Sequence, residues 1–201
     1  MRPNSSGLGL ALSFFLAAAV GAAAHAQTDV ALSLYGAFNN TAGSNLGVQD
    51  RTSNAAGGMV ELRHIRNPLV GYEAAYSFNR ANQVYVGNCS LCSPAAVKAN
   101  AHEITGDWLV SFHAGNLRPF ALAGVGMLLN EPAGGQSDTQ SSNTVVYVYG
   151  AGLDWGLLPH LGLRFQYRGN VSKAPYITTV YSSVNAFRQT AEPMIGAYFR
   201  F

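Results

Sequence analysis

Residues 194–201 read MIGAYFRF. With Pro193 in front, Pro193, Ile195, Ala197, Phe199 and Phe201 fall on one side of an extended chain, and Glu192, Met194, Gly196, Tyr198 and Arg200 on the other. Period-2 alternation of this kind is the signature of a strand with two unlike faces. It runs to Phe201 with no polar tail behind it, where chain ends ordinarily fray into water. The pattern predicts a strand that closes a barrel in a lipid bilayer.

Followed back toward the N-terminus, the alternation recurs seven more times. The first stretch, VALSLYGAF (30–38), sets Val30, Leu32, Leu34 and Phe38 against Ala31, Ser33, Tyr35 and Ala37. A second (57–65) places Val60 and Leu62 opposite Glu61 and Arg63, and a third, VGYEAAYSF (70–78), places Tyr72, Tyr76 and Phe78 opposite Gly71, Glu73 and Ser77. HEITGDWLVSF (102–112), LRPFALAGVGMLL (117–129), VVYVYGAGLDW (145–155) and LGLRFQYR (161–168) continue the series before the eighth. Pro119 stands near the start of its strand, where a missing donor is tolerated. Four long polar connections (39–54, 79–98, 130–143 and 170–185) alternate with three short turns (66–69, 113–116 and 156–160). That rhythm predicts an all-β fold, an eight-stranded antiparallel up-and-down transmembrane β-barrel with loops at one rim and turns at the other.

Composition points the same way. Charged residues are 11% of the 201-residue chain, against roughly a quarter in soluble domains. Past residue 26 no apolar run reaches the roughly 20 residues of a membrane helix, so a closed sheet is the remaining way to span a bilayer. Residues 1–26 carry Arg2, an apolar run over 8–20 and the tripeptide Ala24-His25-Ala26, the pattern of a secretory signal cut before Gln27. A retained helical anchor is the alternative. The expected division is therefore 1–26 signal and 27–201 barrel. The remaining 11 basic and 10 acidic side chains predict no nucleic-acid partner.

One face of the strands collects the ionic residues: Glu61, Arg63, Glu73, Glu103, Asp107, Arg118, Asp154, Arg164, Arg168, Glu192 and Arg200. On a soluble protein this would be the solvated face, around an apolar ligand-binding interior. Two features favour the opposite orientation. The apolar face is ringed by Tyr, Phe and Trp, side chains suited to the level where hydrocarbon meets headgroups. The charged face is interleaved with glycines at 71, 124, 126, 150, 152, 162 and 196, which make room in a narrow interior. An eight-stranded barrel leaves just enough space for side chains, and six acids packed with five bases there must pair.

The signal pattern, the eight alternating strands and the ending YFRF resemble the OmpA/OmpX-like small outer-membrane β-barrel proteins of bacteria. The resemblance spans the chain after residue 26, and RPFALAGVG (118–126) is similar to a recurring internal strand of that family. It implies a location in the bacterial outer membrane, contact with outer-membrane lipid and handling by the barrel-assembly machinery. In that family the C-terminal strand ending in Phe is the assembly signal, a role the likeness assigns to Tyr198, Phe199 and Phe201. No C-terminal peptidoglycan-binding domain is expected, so the likeness does not imply cell-wall anchoring through one.

For function, the expectation is a non-enzymatic barrel with a plugged, charge-paired lumen. Its long Asn-, Ser-, Thr- and Gly-rich loops suit a structural, adhesive or other surface role, with an extracellular ligand as the partner such loops would bind. A lipid-modifying enzyme would need a nucleophile beside a base. Lipid A deacylases of this shape use His-x-Ser, yet His64, His102, His113 and His160 are followed two places on by Arg66, Ile104, Gly115 and Gly162. His102 with Glu103 or Ser111 is the nearest approach, and adjacent strand residues face opposite ways. No cofactor is expected: Gly124-Val125-Gly126 and Gly150-Ala151-Gly152 open no helix and so are not phosphate loops. Cys89 and Cys92 would suggest a redox or metal motif in a reducing compartment; behind an export signal they fit a local loop disulfide. Zinc would need two further ligands, and His102 stands alone.

Overall fold

The computed structural model describes residues 27–43, 47–66, 69–87, 93–133, 138–180 and 184–201. Residues 1–26 and the pair Cys89 and Cys92 lie outside the described residues. Ten strands follow one another: β1 (Gln27–Asn39), β2 (Ala42–Gly43), β3 (Val48–Thr52), β4 (Ala55–Ile65), β5 (Val70–Gly87), β6 (Ala95–Ser111), β7 (Leu117–Pro132), β8 (Ser142–Gly156), β9 (Leu161–Lys173) and β10 (Phe187–Arg200). The eight long ones form a closed, all-antiparallel ring in which β1 pairs with β4 and β10, each later strand pairs with the next, and β5 meets β6. Closure leaves no barrel strand with an unpaired edge at membrane depth, the condition for placing a sheet in hydrocarbon.

The final strand sits in this ring as its alternation requires. Val30 opposes Phe199, Ala31 opposes Tyr198 and Leu34 opposes Ile195 across β1 and β10, so like faces meet like faces along the whole seam. A slip of one residue would turn the apolar set of the slipped strand inward. Turn chemistry fixes two neighbouring registers. Ala114 and Leu117 exchange both backbone hydrogen bonds at 2.9 and 3.1 Å around Gly115, whose φ of 64° is the left-handed conformation a tight hairpin demands. Leu158 and Leu161 close a second turn around Pro159 and His160 at 2.9 and 3.3 Å.

Inside and outside are sharply divided. Leu32, Leu34, Ile104, Trp108, Met127 and Ile195 are 52–71% exposed, as members of an apolar belt that runs round the whole wall. Soluble monomers tolerate isolated patches of this kind and not a continuous girdle. Aromatic rings mark both edges of the belt: Tyr72, Trp108, Trp155 and Phe199 on the turn side, and Phe38, Tyr76, Phe78, Tyr147 and Tyr149 on the loop side. Tyr72 and Trp108, direct cross-strand partners, meet edge to face at 5.1 Å.

On the loop side the sheet extends further than its hydrophobic pattern. Residues 79–87 and 95–98, expected as parts of a loop, instead prolong β5 and β6 to 18 and 17 residues, beyond the 9–11 or so of a tilted membrane strand. Above the membrane both faces of a strand can be polar, so the lipid-driven contrast fades while the backbone ladder continues. The connection 39–54 likewise contains β2 and β3, and β3 adds to β5 with Asp50 opposite Tyr85. Residues 174–180 and 184–186 pack against these extensions, burying Ile177 against Tyr85, Val97 and Ala99, and Val184 against Ala42, Val48 and Ala174. The loop-side mouth therefore carries a folded lid.

One close approach shows how the interior is fitted. The ring of Phe120 lies against Gly152 while the Arg63 guanidinium covers it at 4.1 Å. A Cβ at position 152 would strike both that ring and the carbonyl oxygen of Phe165. Gly152→Ala is expected to lower unfolding stability in lipid vesicles by about 1–3 kcal/mol, read as an earlier urea midpoint of the heat-modifiable band on gels.

Candidate functional site

The interior is organised in layers set by strand register. Arg118 opposes Asp154, which in turn opposes Arg164; Arg63 opposes Glu73, and Glu73 opposes Asp107. In each case the pleat aims the side chains at the barrel axis, where they meet partners far off in sequence.

The turn-side layer is built on Arg164. Its Nε donates to Asp154 Oδ1 at 2.8 Å, its Nη2 to Asp29 Oδ1 at 2.8 Å, and its Nη1 reaches Glu61 Oε2 at 3.4 Å. Arg118 Nη2 donates to Asp29 at 3.2 Å and to Asp154 at 3.0 Å. One level up, Arg63 Nε donates to Glu73 at 2.9 Å while its Nη1 reaches back to Asp154 at 3.2 Å. Arg168 binds Glu73 at 3.1 Å, Asp107 at 2.9 Å and the Thr105 hydroxyl at 3.0 Å. Each guanidinium thus bridges two or more carboxylates in the planar, multidentate way that suits arginine and not lysine.

Ten of the eleven ionic residues expected inside are 5% exposed or less. Arg200 is not among them. It is half-buried at the turn-side rim, with its guanidinium 5.3 Å over the Tyr198 ring and no ion pair among the described residues. Three buried charges were absent from the sequence expectation: Asp29, Asp50 and Arg188. Asp29 has the right parity, two residues before Ala31, but precedes the hydrophobic alternation that marked the strand. Among the described residues the interior count consequently shifts from near balance to eight carboxylates against five guanidiniums.

Above Arg168 lies a polar cavity of about 30 Å³, lined by Ser77, Glu103, Asn130, Asn170, Thr190 and Glu192 among others. Arg188 forms its ceiling, donating to Gln83 Oε1 at 2.9 Å and to the Thr52 hydroxyl, with Asp50 at 3.6 Å. Tyr85 then seals the lid by donating to the Pro175 carbonyl at 2.6 Å. A wider vestibule, about 380 Å³, opens at the other end between Arg118, Tyr198, Arg200 and the turns. Partial burial, with the Arg118 and Arg200 guanidiniums adding to it, holds the His113 imidazole there below its usual range.

Among the described residues, the other histidines are on the wall or the rim. His102 points outward, with Nδ1 2.9 Å from the Tyr76 hydroxyl, whereas Glu103 points inward and Ser111 is buried in the lumen. His64 Nδ1 meets the Thr28 hydroxyl at 3.0 Å. His160 stacks on Phe199 with centroids 6.0 Å apart and lies 2.9 Å from the Arg200 carbonyl. Among the described residues, no group of three or more His, Cys, Asp or Glu side chains is arranged to hold a metal.

A closed antiparallel barrel with a lipid-compatible belt, two aromatic girdles and an ionic interior defines an integral outer-membrane barrel. The family model described as "Outer membrane protein beta-barrel domain" matches residues 10–186, and the chain belongs to that family. It is similar in fold to OprG of Pseudomonas aeruginosa (TM-score 0.61, 11% identity, 88% of this chain and 96% of that one). It is also similar to Ail, the attachment invasion locus protein of Yersinia pestis, in complex with the heparin analogue sucrose octasulfate (TM-score 0.56, 17% identity, 89% and 100%). Neisserial surface protein A is a third such structure (TM-score 0.55, 16% identity, 90% and 100%). No curated protein sequence matches. The protein is an outer-membrane β-barrel of bacteria.

Two outcomes follow from the charge layers. Arg164→Met strands Glu61 and weakens the hold on Asp29 and Asp154, so unfolding stability in vesicles should fall by about 3–5 kcal/mol; Lys173→Met, on the exposed side of β9, should change it by less than about 0.5 kcal/mol. In the lid, burial pushes the Asp50 carboxyl up to about 6 against the opposing pull of Arg188. Its folded value thus lies above its unfolded one, so the docked lid binds the extra proton. Lid docking should be tightest near pH 4 and loosen as pH rises through about 6. Hydrogen exchange of the β3 amides at the two pH values checks this, and Asp50→Asn should remove the dependence.

Proposed function

We propose that this chain is a non-enzymatic outer-membrane barrel with a plugged lumen, acting through what its outward-facing loop side binds. The carrying observation is the stack of interlocked charges from Arg118 to Arg168, each member 5% exposed or less, beneath a cavity of only about 30 Å³. A solute crossing the barrel would have to part several buried ion pairs at once, each of which leaves uncompensated charge when broken. Residues 27–201 form the barrel in this reading, and 1–26 are the export signal that precedes it. Phe199 and Phe201, edge to face at 5.3 Å on the outer wall, are with Tyr198 the residues offered to the assembly machinery. Cys89 and Cys92 pair to close the tip of the β5–β6 hairpin.

The chemistry of the exposed loop side favours an anionic partner. Arg51, Arg80, Lys98 and Lys173 are exposed there, against Glu131 and Asp138 among the described residues. Ail, of the same fold, has been seen with a sulfated sugar, and sulfated or phosphorylated saccharide is the ligand class proposed here. The outward-pointing His102, divided from inward Glu103 and lumenal Ser111, argues against an acyl-transfer centre.

Proteoliposomes carrying the protein should fail to swell in small sugars, and should bind immobilised heparin with an affinity that falls steeply as salt rises. Arg51→Glu with Lys98→Glu should weaken that binding without altering heat-modifiable migration. Swelling at porin-like rates would overturn the plug, and equal heparin retention by the variant would overturn the anionic surface.

A further inference from the structure

We propose that the cavity beneath the lid is a binding site for one hard divalent cation of the calcium class, held by Glu103 and Glu192 with the side-chain oxygens of Asn130 and Asn170. The first ground is charge. Of the eight buried carboxylates, Asp29, Glu61, Glu73, Asp107 and Asp154 are paired with Arg63, Arg118, Arg164 and Arg168, and Asp50 faces Arg188. No guanidinium among the described residues makes an ion pair with Glu103 or Glu192. The case of Glu192 is telling, because Arg168 stands directly opposite it in the β9–β10 register, yet the Arg168 guanidinium turns away to Glu73 and Asp107. Two formal negative charges are therefore left facing a common space, a costly arrangement without a counter-charge.

The second ground is independent of charge. Glu103 Oε1, Glu192 Oε2, Asn170 Oδ1 and both amide atoms of Asn130 are buried without a hydrogen-bond partner, and all four side chains line the one cavity. Their residues are 1–5% exposed. The Asn170 amide is already oriented, because its Nδ2 donates to Glu103 Oε2 at 2.9 Å, which leaves its Oδ1 as a free acceptor. Two carboxylates and two amide carbonyls form an all-oxygen donor set, the set that hard cations of flexible coordination take, with water completing the shell. The space of about 30 Å³ holds an ion and a water or two, and no organic ligand. Ser77 and Thr190, also on the lining, are positioned to bind such waters.

The competing neutraliser is a proton on each carboxyl, and the experiment separates the two. The full chain is refolded into detergent micelles with and without calcium, so that the lid does not bar entry, and is titrated with calcium chloride by calorimetry. One calcium per barrel is expected, with a dissociation constant on the order of 0.1–1 mM, the range of modest extracellular sites. Glu103→Gln with Glu192→Gln should weaken it roughly tenfold or more, whereas Asn130→Asp, which adds a third carboxylate to the same set, should tighten it. Heat-modifiable migration of each variant establishes that the barrel is intact. Absence of saturable binding up to about ten millimolar calcium would overturn the site. So would equal affinity in the double glutamine variant, or an infrared band of protonated carboxyl at neutral pH that persists in calcium and vanishes in that variant.

Discussion

Within hydrocarbon no backbone amide can turn to water, and the rest of this structure follows from that constraint. Eight strands satisfy it by pairing on both sides, with β10 returning to β1 and β5 meeting β6. Once the ring is closed, the pleat sends alternate side chains outward and inward with no third choice. Lipid then selects Leu32, Ile104 and Phe199 for the outside, and the inside receives whatever the alternation leaves. A barrel of eight strands is too narrow to keep that inward set hydrated, so the ionic residues must satisfy one another.

Arginine meets this demand in a way that explains its dominance. All five buried cations among the described residues are Arg, and each of the four in the layers below the cavity bridges at least two carboxylates contributed by other strands. Arg164 alone ties β9 to β8, β1 and β4. Phe120 and Tyr198 add apolar faces to the same layer, with guanidiniums stacked 4.1–5.7 Å from their ring centroids. An apolar interior of equal volume could be as stable, since buried ion pairs recover little beyond their desolvation. It would, however, make each strand continuously apolar, and the alternation that fixes register would vanish. Polar layers thus specify which way each strand faces.

This logic also accounts for what could be read from the chain and what could not. The membrane-spanning parts of β6, β7 and β8 were legible because lipid and lumen impose opposite chemistry on adjacent residues. Ile104 beside Glu103, or Trp155 beside Asp154, carries that contrast in two letters. Above the membrane the contrast disappears. Asn82, Gln83 and Asn100 look like loop residues although they lie in a ladder, and β2 and β3 hide in a run of small polar residues for the same reason. Asp29 is not marked by the pattern because it precedes the first apolar pair of its strand, and parity alone points Arg200 inward although at the barrel rim it is only half-buried. Partner choice lay beyond the sequence: Arg164 and Asp29 are 135 positions apart, and only closure of the ring brings them together.

The two ends of the lumen are unlike, and the difference bears on what the barrel can do. On the turn side a vestibule reaches in as far as Arg118 and stops at the Arg164 layer. On the loop side Tyr85, Ile177 and the β2–β3 hairpin cover the mouth, and Arg188 anchors the underside of that cover through Gln83 and Asp50. The lid therefore rests on the buried apolar contacts of Ile177 and Val184 together with the polar contacts of Arg188, while the layers below rest on ion pairs. Opening the lid alone would expose Glu103, Glu192 and the small cavity without creating a passage, because Arg168, Glu73 and Asp107 still span the axis below. The contacts that hold the loop-side cover are thus distinct from the ion pairs of the layers below it. Cover and ionic interior depend on different layers of one stack.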